Sequence, residues 1–203
     1  MRRVALVLGA MALALLLASG VAWAVTKIGT NGPDTLRGSN KADNLIGRGG
    51  NDKLFALNGR DNLVGGPGND WLDTHPTGFR SGDKNLVGGP GNDAVIGGRD
   101  TDNVLGKDGN DLLADGPFRE FATDRLTAGA GNDVVAVINR PAFKDLVTCG
   151  EGFDRVLADR KDVLAPNCEK VFFGFGSEDE FLESIPQSFF EGLHPRLFEF
   201  LPI

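Results

Sequence analysis

The 203-residue chain contains no tyrosine and only two residues each of cysteine, histidine, methionine and tryptophan. Two thiols with no histidine nearby do not make a thiolate–imidazole metal centre, and a pair of cysteines cannot supply a disulfide-dense scaffold. No Ser/His/Asp or Cys/His arrangement is present, so nothing in the sequence is a candidate for nucleophilic catalysis, and His75 and His194 read as solvated side chains. Positive charge is also scarce, with 21 Lys plus Arg against 28 Asp plus Glu, and the basic residues form no cluster. A phosphate backbone needs clustered cations that release its counterions, so nucleic acid is excluded as a partner. What the chain does have is glycine, 29 residues of it. Leu, Val, Ile and Phe remain frequent and regularly placed, so this is not a low-complexity disordered chain, and its length suits one domain.

The one long apolar run lies at the start. Arg2 and Arg3 precede an apolar stretch from Val4 to Ala18, followed by Ala22-Trp23-Ala24. A charged start, an apolar middle and a small-x-small site describe a secretory signal cut after Ala24. The run contains Gly9 and is short for a bilayer core of about 30 Å. Residues 1–24 are therefore expected to be a signal peptide, and the product to be secreted, extracellular or associated with the cell envelope.

Beyond the signal, aspartate keeps a nine-residue period through Asp34, Asp43, Asp52, Asp61 and Asp70. The period resumes at Asp93, Asp102 and Asp111, at Asp124 and Asp133, and at Asp145 and Asp154, after insertions near Thr74–Thr77, Asp115–Phe118 and Val137–Asn139. Two positions after each aspartate stands Leu or Val, from Leu36 to Val156. Glycine sits two positions before most of them, as at Gly50, Gly68, Gly91 and Gly109, and a second often opens the unit, as in Gly65-Gly66-Pro67-Gly68-Asn69-Asp70. Each unit reads as a glycine-rich turn followed by a short strand with one apolar residue.

From about Gly29 to Leu157 these units resemble the hemolysin-type, or RTX, calcium-binding nonapeptide G-G-x-G-x-D-x-U-x, where U is a large apolar residue. The resemblance implies an all-β parallel β-roll over residues 25–170, of roughly seven coils, in which each unit gives a six-residue turn and a three-residue strand. Alternate turns then lie on opposite edges, with Asp34, Asp52 and Asp70 on one and Asp43 and Asp61 on the other. Ca²⁺ would sit between stacked turns of one edge, held by repeat aspartates and turn carbonyls. The ligand candidates so implied are Asp34, Asp43, Asp52, Asp61, Asp70, Asp93, Asp102, Asp111, Asp133 and Asp154, with Gly50, Gly68, Gly91 and Gly109 shaping the turns.

Elementary energetics point the same way. One buried apolar side chain contributes about 1.5–3 kcal/mol, whereas ordering nine backbones costs about 1–2 kcal/mol each. Stacking also brings carboxylates about 4.8 Å apart, where they repel unless a cation intervenes. Ca²⁺ accepts six to eight carboxylate and carbonyl oxygens at about 2.3–2.6 Å in flexible geometry. Glycines allow the positive φ that aims turn carbonyls inward.

Several units depart from the pattern. That ending at Asp43 has Ser39, Asn40 and Lys41 in its turn, that at Asp61 opens with Ala56, and that at Asp145 carries Pro141 and Phe143. Asp124 stands in a unit lacking the turn glycines, and Asp100 occupies a glycine position. Lys84 falls at the aspartate position two before Leu86, so its ammonium is expected either to replace a calcium or to leave the site to Asp83.

In an exported chain, Cys149 and Cys168 are expected to form one disulfide stapling the last coil. From Val171 the repeat stops and eight phenylalanines appear among acidic residues. Ser177–Glu180 fits a helix capping box, and Phe181, Ile185 and Phe189 fall on one helical face. Residues 171–203 are therefore expected to form a short, partly helical cap over the open end of the stack, or to dock on a protein or cell-envelope partner. The function expected is calcium binding, with calcium-dependent folding and a structural or adhesion role. A calcium-dependent polysaccharide-active enzyme on a β-solenoid is the alternative, and it needs a basic residue beside the ions; Arg37, Arg48, Arg60, Arg99 and Lys107 are scattered through turns instead. An ice-binding solenoid would need flat Thr-rich strands, where this chain has Leu, Val and Asn.

Overall fold

The computed structural model describes residues 24–74, 82, 84–116, 122–139, 141–174 and 178–186. The chain winds between two parallel eight-stranded sheets. The first holds, in spatial order, β1 (Thr26–Ile28), β3 (Asn44–Ile46), β5 (Asn62–Val64), β7 (Asn85–Pro90), β9 (Asn103–Asp108), β11 (Arg125–Ala130), β13 (Leu146–Glu151) and β15 (Val163–Leu164). The second holds β2 (Thr35–Arg37), β4 (Lys53–Phe55), β6 (Trp71–Asp73), β8 (Ala94–Ile96), β10 (Leu112–Ala114), β12 (Val134–Val137), β14 (Arg155–Ala158) and β16 (Lys170–Phe173). Every strand crosses to the other sheet before the chain returns one rung on, which makes a β-solenoid of about seven turns.

The periodic apolar residue sets the register. Leu45, Leu63, Leu86, Val104, Leu126 and Val147 stack in the first sheet, and Leu54, Leu72, Val95, Leu113, Val135 and Val156 in the second. All of these are buried in one core running the length of the roll. Three residues per strand leave the flanking positions outside, because successive side chains alternate across a strand.

The two outer faces differ. On the first sheet an asparagine ladder runs along the surface: the side-chain amides of Asn62, Asn85 and Asn103 donate to Asn44, Asn62 and Asn85 at 2.7, 2.7 and 2.8 Å. On the second sheet the flanking residues Trp71, Ala94, Ile96, Leu112, Val134 and Leu157 are themselves buried, forming a second apolar cluster that the period did not announce. The helix α1 (Glu178–Ser184) joins this cluster through Phe181, and Ile185 just after the helix does the same. Its Phe181 ring stands edge-on to Phe172 at 5.5 Å, and the Arg155 guanidinium donates to the Ser184 carbonyl at 2.7 Å. The described part of the tail thus lies on the outer face of the second sheet. Ser177 and Phe189, of the expected capping box and helical face, lie outside the described residues, as do His75, His194 and nearly all of the signal.

Strands β7, β9, β11 and β13 run to six residues instead of three, because the stacked turn backbones keep pairing round the corner, as at Gly89 with Lys107 and Gly129 with Gly150. Near the C-terminal end Cys149 and Cys168 are joined, with Cα atoms 5.2 Å apart, and Cys149 belongs to the inner core.

Candidate metal centre

The turns that end at Asp34, Asp52, Asp70, Asp93, Asp111, Asp133 and Asp154 precede strands of the second sheet and form one edge of the roll, here called the first edge. Those that end at Asp43, Asp61, Lys84, Asp102, Asp124 and Asp145 form the second edge. The ten candidate aspartates therefore divide between two lines that face away from each other.

On the first edge the carboxylates form a chain. The backbone N–H of Asp34, Asp52, Asp70, Asp93, Asp111 and Asp133 each donates to Oδ1 of the aspartate one coil on, at 2.7–2.8 Å. The Asp154 N–H donates in the same way to Glu169, at 2.9 Å. A second ladder runs in the reverse sense: the N–H groups of Asn69, Asn92, Asn110, Asn132 and Phe153 donate to Oδ1 of the asparagine one coil back, at 2.7–3.0 Å. Each turn is tied by side chains to both neighbours. The asparagine role was missed in the sequence, although Asn directly before Asp is its signal.

With Oδ1 so engaged, the other oxygen is left over. Oδ2 of Asp52, Asp70, Asp93, Asp111, Asp133 and Asp154 is buried and has no hydrogen-bond partner. A buried anionic oxygen without a partner is costly, which makes this row the strongest call for a cation in the molecule. The space around it is shaped by glycine. A Cβ on Gly47, Gly65 or Gly106 would stand 2.2, 2.2 or 2.3 Å from Oδ2 of its own turn's aspartate and 2.6, 2.8 or 2.5 Å from the carbonyl oxygen of the next turn's first residue. The missing side chain thus opens a cradle in which a carboxylate oxygen and a carbonyl oxygen of successive turns converge.

Gly50, Gly68, Gly91 and Gly109 serve stacking. They hold φ between +99° and +143°, and a Cβ on Gly68 or Gly91 would come within 2.1 or 1.9 Å of the preceding turn's carbonyl. Only glycine combines that backbone with so close an approach.

The charge environment follows from this burial. Desolvation, opposed by the ladder N–H and reinforced by neighbouring carboxylates, lifts Asp70 to about 6, Asp93 to about 8, and Asp111 and Asp133 to about 7. Asp52 and Asp154 are raised for the same first cause. A divalent cation would reverse this by favouring the ionised form.

The remaining candidates have partners within the protein. At the end of the first edge, Oδ2 of Asp34 accepts the Thr30 N–H and its hydroxyl. On the second edge, Oδ2 of Asp43 accepts the Ser39 N–H, Oδ2 of Asp102 accepts the Gly98 N–H, and Oδ2 of Asp61 lies 3.4 Å from the Lys84 ammonium. Asp145, left aside as a ligand for its irregular turn, receives the Asn139 amide at 2.8 Å. Asp83 lies outside the described residues.

Among the described residues no three His, Cys, Asp or Glu side chains gather into a metal cluster. A cation at the first edge would therefore draw most of its ligands from turn carbonyls. That donor set, one carboxylate per rung with backbone oxygens, is hard and all-oxygen, and it suits Ca²⁺ rather than a transition metal.

Comparison with known proteins agrees. A family model of the RTX calcium-binding nonapeptide repeat matches in four copies, at residues 28–63, 55–75, 81–113 and 122–136. A search of curated proteins returns no match. RTX nonapeptide repeats bind Ca²⁺, and the matched residues include the carboxylate row from Asp52 to Asp133. Between residues 28 and 136 the chain carries RTX calcium-binding nonapeptide repeats.

Proposed function

We propose that the protein is exported and folds on meeting calcium outside the cell, where the ion-bound roll has a structural or adhesive role. The observation that carries this reading is the row of six buried, unpartnered carboxylate oxygens along the first edge. A chain that must bury them without a cation loses stability through desolvation and mutual repulsion, and one that binds calcium recovers it as binding free energy. The charged start of the chain and the Ala22-Trp23-Ala24 site support export. Among the described residues no helix is long and apolar enough to cross a membrane.

Bound calcium supplies positive charge and oxygen coordination between turns, and the chain's own residues do the rest. The Asp and Asn ladders hold successive turns in register, the glycines keep the cradle open, and the inner row of Leu and Val excludes water from behind it. RTX calcium-binding repeats are typically structural rather than catalytic. A polysaccharide-cleaving centre would need a basic side chain free to take a proton beside the ions, whereas Lys84, which is buried within the turns, is committed to carbonyls and a carboxylate of its own edge.

The test is the far-UV circular dichroism of the chain from residue 25 onward, titrated with calcium from an excess of chelator. Folding on calcium addition is expected. Full β-sheet signal in chelator, unchanged by calcium, refutes the reading.

A further inference from the structure

The second edge contains a cation of its own. Lys84 stands where the repeat calls for aspartate, two residues before the buried Leu86, and its backbone keeps the aspartate's place in the ladder by donating to Oδ1 of Asp102 at 2.9 Å. Its side chain turns into the edge. The Nζ atom donates to the carbonyl of Gly59 at 2.8 Å and to that of Gly82 at 3.1 Å, and lies 3.4 Å from Oδ2 of Asp61. Both members of the ion pair are fully buried at the side chain. Gly59 and Gly82 occupy equivalent positions in successive turns, since each stands two residues before the Asp61 or Lys84 that ends its turn. They are stacked closely enough that a Cβ on Gly82 would meet the Gly59 carbonyl oxygen at 2.8 Å.

The ammonium is thus surrounded by two carbonyl oxygens from stacked turns and the carboxylate of the lower turn. That is an all-oxygen donor set of the kind a hard cation takes. Charge arithmetic supports the equivalence. Replacing Asp by Lys removes one negative charge and adds one positive, a change of two units and the same as that brought by one Ca²⁺. The contrast with the first edge is direct: there the corresponding carboxylate oxygens of Asp70 and Asp93 have no partner, whereas Asp61 has the ammonium.

We propose that Lys84 is a tethered cation standing in for one calcium ion between the turn that ends at Asp61 and the turn that ends at Lys84, so that this junction of the second edge closes without metal. The proposal deepens the calcium reading of the first edge and rests on it for the ion count, but the stabilising role of the ammonium is independent of that reading.

Two variants test it on the full chain from residue 25. Lys84→Asp restores the repeat's carboxylate and removes the built-in cation, and native mass spectrometry in calcium should find one more bound ion per chain than in the wild type. An equal ion count, in a variant whose circular dichroism in calcium matches the wild type, overturns the proposal. Lys84→Met keeps the aliphatic stem and removes the charge, leaving Asp61 and two carbonyls unanswered. Its thermal midpoint in saturating calcium should fall below the wild-type value, and an unchanged midpoint overturns the proposal whatever happens to Lys84→Asp. If the wild type itself binds no calcium, the reading of the first edge fails, while the Lys84→Met comparison in chelator still decides the role of the ammonium by the same drop.

Discussion

Calcium binding to the roll once it is folded should expel protons near neutral pH, whereas a chain still unfolded in chelator holds its carboxylates ionised and releases none as it folds around the ion. Without metal, burial holds Asp93 at about 8, Asp111 and Asp133 at about 7, and Asp70 at about 6. Simple titration with those values leaves about three protons on the four carboxyls at pH 6.5, and almost none at pH 9. A divalent cation among these oxygens favours the ionised form, so the protons must leave as it enters. The overall calcium-binding constant should then rise roughly 10²–10³-fold between pH 6.5 and 8.5, because each expelled proton adds one power of ten per pH unit while its carboxyl remains protonated. Isothermal titration calorimetry at pH 6.5, in two buffers of very different ionisation enthalpy, reads the proton number directly from the difference in apparent enthalpy. In a sample that a stabilising osmolyte keeps folded in chelator, identical enthalpies in both buffers, or an affinity that does not change over this range, would refute the argument that the row is buried and unpartnered.

The same shifts set opposite pH profiles for the two forms. Folded values raised above the unfolded one mean that the metal-free roll binds more protons than the unfolded chain. Its carboxyl contribution to stability is therefore complete below the unfolded value near 3.8, and is lost as pH rises through the folded values of about 6 to 8. With calcium bound the carboxylates are held ionised, and stability should instead fall on acidification. Denaturation midpoints measured across pH 5–9 in calcium, and in chelator with enough stabilising osmolyte to fold the metal-free roll, should consequently slope in opposite directions.

Three further outcomes follow from the geometry. Asp93→Asn keeps the Oδ1 that accepts the Asp70 N–H in the ladder but removes the charge, so it should weaken calcium binding in a calorimetric titration more than Asp43→Asn, whose native carboxylate already accepts the Ser39 N–H. Gly66→Ala should destabilise the calcium-loaded roll by about 2 kcal/mol or more in a denaturant titration, because the backbone there has φ of +107° and the new Cβ would stand 1.8 Å from the Arg48 carbonyl oxygen. Reduction of Cys149–Cys168 should remove about 3 kcal/mol of loop constraint and loosen hydrogen-exchange protection from about Asp145 onward, while the coils from Gly47 to Asp111 remain protected in calcium.

The roll was legible in the sequence because its period is carried by residues whose jobs do not depend on distant partners. Leu45, Leu63 and Leu86 turn inward wherever a three-residue strand is centred on them, and Gly68 or Gly91 is needed wherever one turn stacks on another. The division of edges was also legible, since alternate units must face opposite ways. What could not be read was which aspartates would find partners inside the protein. Asp43 and Asp102 are answered by backbone N–H groups of their own turns, a matter of local turn conformation that residue types alone leave open. The second apolar cluster was hidden for another reason. Counting one apolar residue per unit ignores positions that flank it, and in Ala94-Val95-Ile96, Leu112-Leu113-Ala114 and Val134-Val135-Ala136 those flanks are buried too. Continuous apolar triplets mark a sheet covered on both sides. Their concentration in the second sheet marked the face on which Phe181 and Ile185 settle.

The asparagines sharpen the difference between the edges into a statement about cooperativity. Asn51, Asn69, Asn92, Asn110 and Asn132 precede the five first-edge aspartates from Asp52 to Asp133, whereas Ala42, Arg60, Thr101, Thr123 and Lys144 hold that place on the second edge. The first edge therefore has two side-chain ladders running in opposite senses, so a turn displaced by loss of its ion disturbs the turn on either side. The second edge has one continuous ladder, that of the aspartates, which breaks at Lys84 because a lysine has no carboxylate to offer the Asp61 N–H; its other links between turns are isolated, from Asn58 to Asn40, from the Gly82 N–H to Asp100, from Asn139 to Asp115 and from the Lys84 ammonium to Gly59 and Asp61. In a stack where coupling passes between neighbours, doubling the links along one line lengthens the cooperative unit there. Calcium should accordingly load the first edge as a run rather than turn by turn, while the second edge responds through the strands that join the two.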